Sequence, residues 1–279
     1  MTVDKVYELE KKLEKVGGKP KMNVEQLTIK EIKTKIKNLD DVSQPLMHQL
    51  KADSRKGVQQ IAQKIERTRA KEKEARQKYQ EMRFYEKKKL ANGYDLICGI
   101  DEAGRGPLAG PVVAGAVILG EETYIPGLDD SKKLSEKKRE ELFELIYEQA
   151  QAVGVGIVEQ SRIDEINILQ ATYEAMVQAV SELDLAPNYL LIDSETIPQV
   201  DLPQAGIEKG DSKSVSIAAA SIIAKVTRDR MLVEYDEQYP EYGFAQHKGY
   251  GTKTHREALE QFGPCEIHRK SYKIVQKHL

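Results

Sequence analysis

The character of the sequence changes near Tyr94, and this change constrains the fold more than any other feature. Residues 56–90 form one long polar stretch whose apolar positions are sparse, which is typical of an exposed helix. After Tyr94, short apolar runs suited to strands alternate with helical patterns, and such alternation predicts a mixed or parallel sheet covered by helices. The strand candidates are residues 96–100, 111–119, 153–158 and 189–192.

The helical patterns divide the chain into two parts. We predict a helical N-terminal extension over residues 1–93 and an α/β domain over residues 94–279. Met22 can serve as a start, so residues 1–22 are either native or appended. The helix candidates are residues 1–17, 28–39, 56–90, 136–150, 164–183, 212–235, 253–262 and 271–278.

Charge is distributed unevenly between these parts. Residues 1–90 hold 24 Lys and Arg against 14 Asp and Glu, whereas the remainder holds 19 against 31. Such an asymmetry indicates a basic arm that meets a polyanion, beside a body with clustered carboxylates. The alternatives are solvated helix faces, or an arm that packs on the body through charge complementarity.

Composition excludes several protein classes. With 40% hydrophobic residues the chain is neither disordered nor collagen-like, and no apolar run has the length of a membrane span. The two cysteines, Cys98 and Cys265, form no CxxC pair, which argues against a disulfide scaffold and a structural zinc site. We therefore expect a cytoplasmic monomer without membrane association, and the sequence identifies no protein partner.

Four carboxylates stand where strands end or helices begin. Asp101 and Glu102 follow the first apolar run, Asp193 closes the run at 189–192, and Asp211 precedes a long helix. Ligands gather at the carboxyl ends of strands in open α/β sheets, so these side chains are expected to converge. Taken singly, Asp211 is more typical of a helix N-cap and Asp193 of a turn.

A cluster of carboxylates without histidine or cysteine suits hard cations such as Mg²⁺ or Mn²⁺. Two such ions about 3.5–4 Å apart can activate a water and stabilise the leaving oxygen of a phosphodiester. Two nucleotide-binding motifs are excluded. Gly104-x-Gly106-x-x-Ala109 is followed by prolines and a strand, not by the helix of a dinucleotide site, and the chain has no GxxxxGK[ST].

At these residues the sequence resembles the ribonuclease HII family. The matching segments occur in the family's order from about residue 95 to the C-terminus, and a weaker resemblance begins near residue 24. They are GIDEAGRGPLAGPV (99–112), LDDSKKLS (128–135), DEINI (164–168), LLID (190–193), KGDSKSVSIAAASIIAKVTRDR (209–230), KGYGT (248–252) and HRKSY (268–272).

The resemblance implies an RNase H-like α/β domain with a mixed five-stranded sheet flanked by helices. It also implies an endoribonuclease that hydrolyses the RNA strand of RNA–DNA hybrids and cuts 5′ of ribonucleotides misincorporated in duplex DNA. The implied cofactors are Mn²⁺ or Mg²⁺ in a two-metal mechanism. The implied catalytic residues are Asp101, Glu102, Asp193 and Asp211, with Asp101, Glu102 and Asp193 as principal metal ligands.

Substrate recognition is implied at two further segments. The family's glycine-arginine-glycine loop falls on Gly104, Arg105 and Gly106, and the tyrosine that works with it falls on Tyr250. Only the 2′-hydroxyl distinguishes an RNA backbone from a DNA backbone, and glycine-flanked backbone groups can approach it closely. For an isolated Gly-Tyr-Gly, a surface turn is the alternative interpretation.

For several neighbouring residues the sequence leaves more than one role open. Lys132, Lys133, Lys213 and Lys225 are either phosphate contacts or solvated lysines. Many relatives have a small residue after the third aspartate, whereas this chain has Ser194 and Glu195, an extra carboxylate that could perturb metal affinity. The histidines His247, His255 and His268 lack the spacing of a zinc site, so no metal is assigned to them.

Three alternative functions remain open at this level. The sister family ribonuclease HIII prefers longer hybrids, but its N-terminal module is α/β, and no strand pattern precedes Tyr94 here. A non-catalytic hybrid-binding protein would not need all four carboxylates. A DNA-only resolvase on the same fold would need no group that reads the 2′-hydroxyl.

Overall fold

The computed structural model describes residues 22–37, 39 and 41–279. The chain forms two compact units that divide after Glu74. This division lies within a long helix, whereas the composition of the sequence changes near Tyr94. The helix predicted over residues 1–17 lies outside the described residues.

The first unit is helical, as the sequence predicts for the N-terminal region. A 3₁₀ turn, Val24–Gln26, precedes helices α1 (Ile29–Lys37) and α2 (Gln44–Ala52) and the first part of α3 (Lys56–Met82). The Arg55 guanidinium donates hydrogen bonds to the carbonyls of Val24 and Leu27 and to the Asp53 carboxylate. The unit also has its own apolar core, which includes Val24, Ile32, Met47, Leu50 and Val58.

The second unit is built around a mixed five-stranded sheet. Its strands are β1 (Ile97–Ala103), β2 (Val112–Ile118), β3 (Ala152–Val158), β4 (Tyr189–Asp193) and β5 (Gln204–Ile207), in the order β3-β2-β1-β4-β5. The hairpin strands β1, β2 and β3 pair antiparallel, whereas β4 is parallel to both β1 and β5. The sequence did not locate β5, because it has only four residues and no apolar run.

Helices cover both faces of this sheet. On one face α6 (Gln160–Ser181) packs against β1, β2 and β3, and the other face carries α5 (Glu136–Gln149) and α7 (Val215–Gln238). The remaining helices of the second unit are α4 (Phe84–Leu90), α8 (Phe244–His247), α9 (Lys253–Phe262) and α10 (Lys273–Gln276). Among the described residues, no helix combines the length and the apolar character that crossing a membrane requires.

The helix α7 approaches the sheet very closely, because glycines face it. A Cβ atom on Gly99 of β1 would lie 2.1 Å from the backbone carbonyl carbon of Ser216. A Cβ atom on Gly115 of β2 would lie 2.5 Å from the carbonyl oxygen of Ala220. The absence of these side chains brings the first half of α7 against β1 and β2, and β1 carries Asp101 and Glu102.

The polar stretch 56–90 is not one free helix. It breaks at Arg83, which donates a hydrogen bond to the Glu121 carbonyl, and α4 begins at Phe84. Tyr79 and Met82 are buried in the core of the second unit, and Glu86 accepts hydrogen bonds from Ser214 and Ser216 at the start of α7. The last part of the basic stretch therefore packs within the second unit, where sequence alone allowed a solvated arm.

The close packing of α7 predicts a strong effect of Gly99→Ala. The added methyl would overlap backbone atoms, which cannot move aside as a flexible side chain can, and overpacking of this kind costs about 1–3 kcal/mol. We expect a lower melting temperature, by roughly 2–4 °C for each kcal/mol. Gly120→Ala is the matched control, since its Cβ would meet only the side-chain ends of Thr123 and Gln151. Equal melting temperatures for the two variants would show that α7 can move away from β1.

Candidate active site

Three of the predicted acidic residues lie side by side at the carboxyl ends of two parallel strands. Ile100 of β1 pairs with Ile192 of β4, so Asp101 and Asp193 follow at neighbouring positions, and Glu102 comes next along β1. Asp101 is buried, whereas Glu102 and Asp193 are half-buried. The sheet topology thus brings together the carboxylates that the sequence places at strand ends.

The fourth acidic residue, Asp211, comes from the segment before α7. It lies in a 3₁₀ turn, Gly210–Ser212, whose Gly210 N–H donates a 2.6 Å hydrogen bond to Oδ1 of Asp193. The N-cap of α7 is Ser214, whose hydroxyl accepts from the N–H of Ile217. Asp211 is therefore not the helix cap, and its buried carboxylate belongs to the acidic cluster.

The electrostatics of the cluster reflect burial and mutual repulsion. Desolvation, followed by the charges of Glu102 and Asp193, holds the pKa of Asp101 well above its usual range. Desolvation also raises the pKa of Glu102, although the Arg105 guanidinium, 3.2 Å away, opposes this shift. For Asp211, desolvation and then the charges of Asp130 and Asp193 raise the pKa. Each shift indicates that this cluster lacks enough positive charge of its own.

Sequence reasoning missed two contributors to this cluster. Asp130, in the segment 128–135, is close enough to Asp211 for its charge to raise the pKa of Asp211. The hydroxyl of Ser221 on α7 contacts the Asp101 carboxylate and lies 2.8 Å from the hydroxyl of Ser131. No signal in a single sequence distinguishes these residues from an ordinary turn aspartate and an ordinary helical serine.

Lys132, which the sequence leaves as a phosphate contact or a solvated lysine, lies beside the carboxylates. Burial opposes its positive charge, but the surrounding carboxylates outweigh burial and raise the pKa of the Lys132 ammonium. Arg139 holds the turn that carries Lys132 by donating hydrogen bonds to the carbonyls of Ser131 and Leu134. The carboxylates that act on Lys132 are Asp101, Asp211, Asp130 and Asp193.

The chemistry of the donor set fits hard divalent cations. Every acidic side chain of the cluster offers carboxylate oxygen, and no histidine or cysteine takes part, which suits Mg²⁺ or Mn²⁺. Within the described part of the chain, no three acidic, histidine or cysteine side chains already surround one point as a closed metal centre. The site is thus an acidic cluster whose unfavourable charge a bound cation would offset.

The predicted glycine-arginine-glycine loop directly follows β1. Gly104 has φ of 103°, and a Cβ there would lie 2.2 Å from the buried Arg228 side chain, so only glycine fits. The carbonyls of Gly104 and Arg105 accept hydrogen bonds from Arg269, a fully buried arginine. Among the described residues, the N–H groups of Arg105 and Gly106 have no hydrogen-bond partner. Two backbone donors of this loop are therefore free to bind a ligand.

Tyr250, which the resemblance assigns to work with this loop, lies beside it. Its ring lies beside Gly106, where an added Cβ would be in ordinary van der Waals contact with Cε1 of the tyrosine, 3.6 Å away. The side chain remains 44% exposed, so one face of the ring is available to a ligand. The turn that carries Tyr250 is joined to the loop segment by a 2.8 Å hydrogen bond from the Leu108 N–H to the Gly249 carbonyl.

Three other candidate side chains form hydrogen bonds within the fold. The Lys225 ammonium donates a 2.7 Å hydrogen bond to Asp229, and that of Lys213 donates to the Glu208 carbonyl. The additional carboxylate, Glu195, accepts a hydrogen bond from the Tyr173 hydroxyl. Lys225, Lys213 and Glu195 are thus each bound to a neighbouring residue of the protein.

Comparisons with known proteins agree with this architecture. Residues 98–275 match the family Ribonuclease HII, and residues 28–89 match the Ribonuclease HII N-terminal domain. The Ribonuclease HII of Bacillus subtilis is 54% identical over 250 residues, which cover 90% of this chain and 98% of that protein. The Ribonuclease HII of Clostridioides difficile is 51% identical over 246 residues, covering 88% of this chain and 96% of that protein.

Solved structures resemble the second unit. The ribonuclease H2 of Pyrococcus horikoshii superposes with a TM-score of 0.55 at 30% identity, covering 65% of this chain and 95% of that one. The RNase HII of Archaeoglobus fulgidus, solved in complex with PCNA, gives a TM-score of 0.55 at 30% identity, covering 64% of this chain and 95% of that one. An RNase HIII structure shares the fold alone, at 17% identity and a TM-score of 0.51.

The raised pKa of Asp101 predicts that Asp101→Asn stabilises the metal-free protein. A carboxyl whose pKa is raised by folding favours the fold when protonated, and this stability is lost as pH rises through its folded-state pKa. In a chelator at pH 8, we expect the variant to melt above the wild type. The difference should shrink towards pH 4, near the ordinary carboxyl pKa of about 3.9.

The control for this measurement is Asp201→Asn, at an exposed position outside the cluster. It should leave the melting temperature close to that of the wild type at both pH values. If Asp101→Asn melted at or below the wild type at pH 8, ionised Asp101 would not destabilise the metal-free fold as its burial implies.

Proposed function

The chain belongs to the ribonuclease HII family and is a ribonuclease H that cleaves RNA–DNA hybrids, and we propose that it also cuts 5′ of single ribonucleotides in duplex DNA. We further propose that both reactions depend on Mg²⁺ or Mn²⁺. The observation that carries the proposal is the acidic cluster at the ends of β1 and β4, beside a glycine loop with free N–H groups. The substrates are thus RNA–DNA hybrids and ribonucleotide-containing duplexes.

The acidic side chains would hold two divalent cations at two positions. Asp101, Glu102 and Asp193 would be the principal metal ligands, and Asp211 would complete a second position. When bound, two divalent cations would supply an activated water and stabilisation of the leaving oxygen. The Gly210 N–H fixes Oδ1 of Asp193, and the Glu102 N–H donates a 2.7 Å hydrogen bond to Oδ1 of Asp101. Each of these aspartates is oriented through one oxygen.

The glycine loop and Tyr250 would recognise the ribonucleotide. The N–H groups of Arg105 and Gly106 can donate to a 2′-hydroxyl oxygen, because no side chain at Gly106 blocks their approach. The exposed part of the Tyr250 ring would stack on the sugar next to this group, since the ring lies beside Gly106 with only the space of a side chain between them. A DNA sugar lacks the hydroxyl, so it would leave these donors unpaired, and an unpaired donor is unfavourable.

Two cationic side chains would meet the phosphates at this site. Lys132 lies among the carboxylates and stays charged there, and the Arg105 guanidinium is half exposed beside Glu102. Their charges would reduce the repulsion between the acidic cluster and the phosphate that it must approach. Both side chains can therefore orient the strand across the carboxyl ends of β1 and β4.

Specific observations argue against the alternative functions. The N-terminal residues match the N-terminal domain of ribonuclease HII and are helical, which disfavours a ribonuclease HIII-like enzyme. A non-catalytic hybrid-binding protein would gain nothing from burying mutually repelling carboxylates. A DNA-only resolvase would not need free backbone donors beside Tyr250.

The proposed metal dependence is tested with Asp193→Asn. Asparagine keeps the oxygen that accepts from the Gly210 N–H but removes the negative charge, so the fold should persist while cleavage falls by several orders of magnitude in Mg²⁺ or Mn²⁺. Independently of activity, Mn²⁺ should raise the melting temperature of the wild type, because it binds the folded state. The rise should be much smaller in the variant. Near-wild-type cleavage and an equal thermal shift would contradict this assignment.

Recognition of ribonucleotides is tested with Tyr250→Phe and Tyr250→Ala on three duplexes, namely all-DNA, single-ribonucleotide and RNA–DNA hybrid. We expect Tyr250→Phe to weaken and Tyr250→Ala to remove most cleavage at the single ribonucleotide. The hybrid should lose less, because it offers many registers. Tyr147→Ala, at an exposed tyrosine of α5, is the control and should cleave all substrates normally. An equal loss on both ribonucleotide substrates would make Tyr250 a general catalytic or structural residue.

A further inference from the structure

A row of histidines lies behind the turn that carries Tyr250. His255 and His268 are fully buried, and their Nε2 atoms are 2.9 Å apart. The ring of His247 stacks on that of His255, with centroids 4.5 Å apart and planes inclined by 7°. The three rings pack around Phe244 in the apolar core formed with α9, away from the acidic cluster.

The hydrogen bonds of this row run in one direction only. The Tyr250 carbonyl can only accept, so Nδ1 of His255, 3.0 Å away, carries the hydrogen and donates it. At the other end, the Cys265 N–H donates to Nδ1 of His268 over 3.0 Å, so the hydrogen of that ring is on Nε2. His268 therefore donates to His255, and both ends of the row require the same pair of tautomers.

Both rings of this pair are neutral. Desolvation lowers the pKa of His255 to about 4 and that of His268 to about 3. A second proton on His255 would also place two N–H groups opposite each other across the 2.9 Å contact, and a second proton on His268 would place an N–H opposite the Cys265 N–H. The tautomers, and with them the donor to Tyr250, are thus set by the packing over the neutral pH range.

The rest of the turn is held by separate contacts. The Lys248 carbonyl accepts from Arg228, and the Gly249 N–H donates to Nδ1 of His247. The Gly249 carbonyl accepts from the Leu108 N–H. Among the described residues, His255 is thus the side chain that binds the backbone of Tyr250 itself.

We propose that His255, oriented by His268, is a positioning residue that holds Tyr250 against Gly106 and thereby sets the preference for single ribonucleotides. This inference rests on the proposed role of Tyr250 in ribonucleotide recognition. Both histidines are fully buried, so they act through the Tyr250 turn and not by touching the substrate. The Tyr250 carbonyl also accepts a 2.7 Å hydrogen bond from the Thr252 N–H, which belongs to the same turn. Without the donor from His255, the carbonyl keeps only that local bond and loses its link to a fully buried side chain, so the turn relaxes away from the glycine loop.

The first test compares His255→Leu with His255→Asn. Leucine fills the space but cannot donate, whereas the asparagine amide places an N–H near the position of Nδ1. We expect His255→Leu to lower the ratio of single-ribonucleotide to hybrid cleavage by about tenfold, mainly through the Michaelis constant, and His255→Asn to recover much of it. Leu259→Ala, one turn along α9 and fully buried, is the control for lost stability. It should lower the melting temperature without changing this ratio.

A double-mutant cycle shows whether His255 acts through Tyr250. In a Tyr250→Ala background, His255→Leu should cause no further fall in the ratio, because the residue it positions is gone. Losses that multiply fully would overturn the proposal. So would an equal fall of the ratio in Leu259→Ala, since the effect would then come from stability alone.

The tautomers provide a readout that does not depend on cleavage. In ¹⁵N-labelled full-length protein, two-bond ¹H–¹⁵N correlations should show hydrogen on Nδ1 of His255 and on Nε2 of His268. The opposite tautomers, or a charged ring at neutral pH, would overturn the inference whatever the enzyme cleaves. If the tautomers are as stated and the wild type fails to cut at single ribonucleotides, the proposed function fails while the positioning of the Tyr250 turn stands.

Discussion

The site depends above all on the close approach of α7 to β1 and β2. This approach requires that Gly99 and Gly115 have no side chain, because the helix backbone occupies the positions of their Cβ atoms. Along α7, successive residues then serve different parts of the site: Ser214 begins the helix just after Asp211, Ser221 contacts Asp101, and the Arg228 side chain lies against Gly104 of the glycine loop. One helix therefore sets the spacing between the acidic cluster and the recognition loops.

The acidic cluster illustrates a conflict between stability and function. Desolvation and mutual repulsion raise the pKa values of Asp101, Glu102 and Asp211, so the ionised cluster weakens the fold in the absence of cations. Hydrogen bonds from the surrounding backbone and packing of the neighbouring helices resist this repulsion. The Gly210 N–H binds Asp193, and Glu86 ties α4 to the first turn of α7. The same charge that destabilises the metal-free site favours divalent cations.

The sequence predicted the fold class, the four longer strands and the convergence of the acidic residues, because apolar runs ending in carboxylates are a local signal. It did not reveal β5, whose four residues lack such a run, or the break of the basic stretch at Arg83. Asp130 and the histidine row were equally invisible. Their roles arise from contacts in space, between Asp130 and Asp211 far along the chain and between His255 and His268 across a loop, and single-sequence patterns do not encode such contacts.

Different contacts hold the acidic cluster and the loops that would recognise the substrate. The acidic cluster is held by strand register and backbone N–H groups, whereas the recognition loops are held by buried cations and neutral rings. Arg228 and Arg269 are fully buried, and carbonyls of the segments 104–111 and 248 accept most of their hydrogen bonds. A guanidinium has five N–H donors, and here backbone carbonyls accept from them in place of carboxylates. Each arginine therefore binds several backbone groups at once. The loop and the Tyr250 turn are thereby fixed relative to each other before any substrate binds, and a rigid pair of surfaces is what discrimination by a single hydroxyl requires.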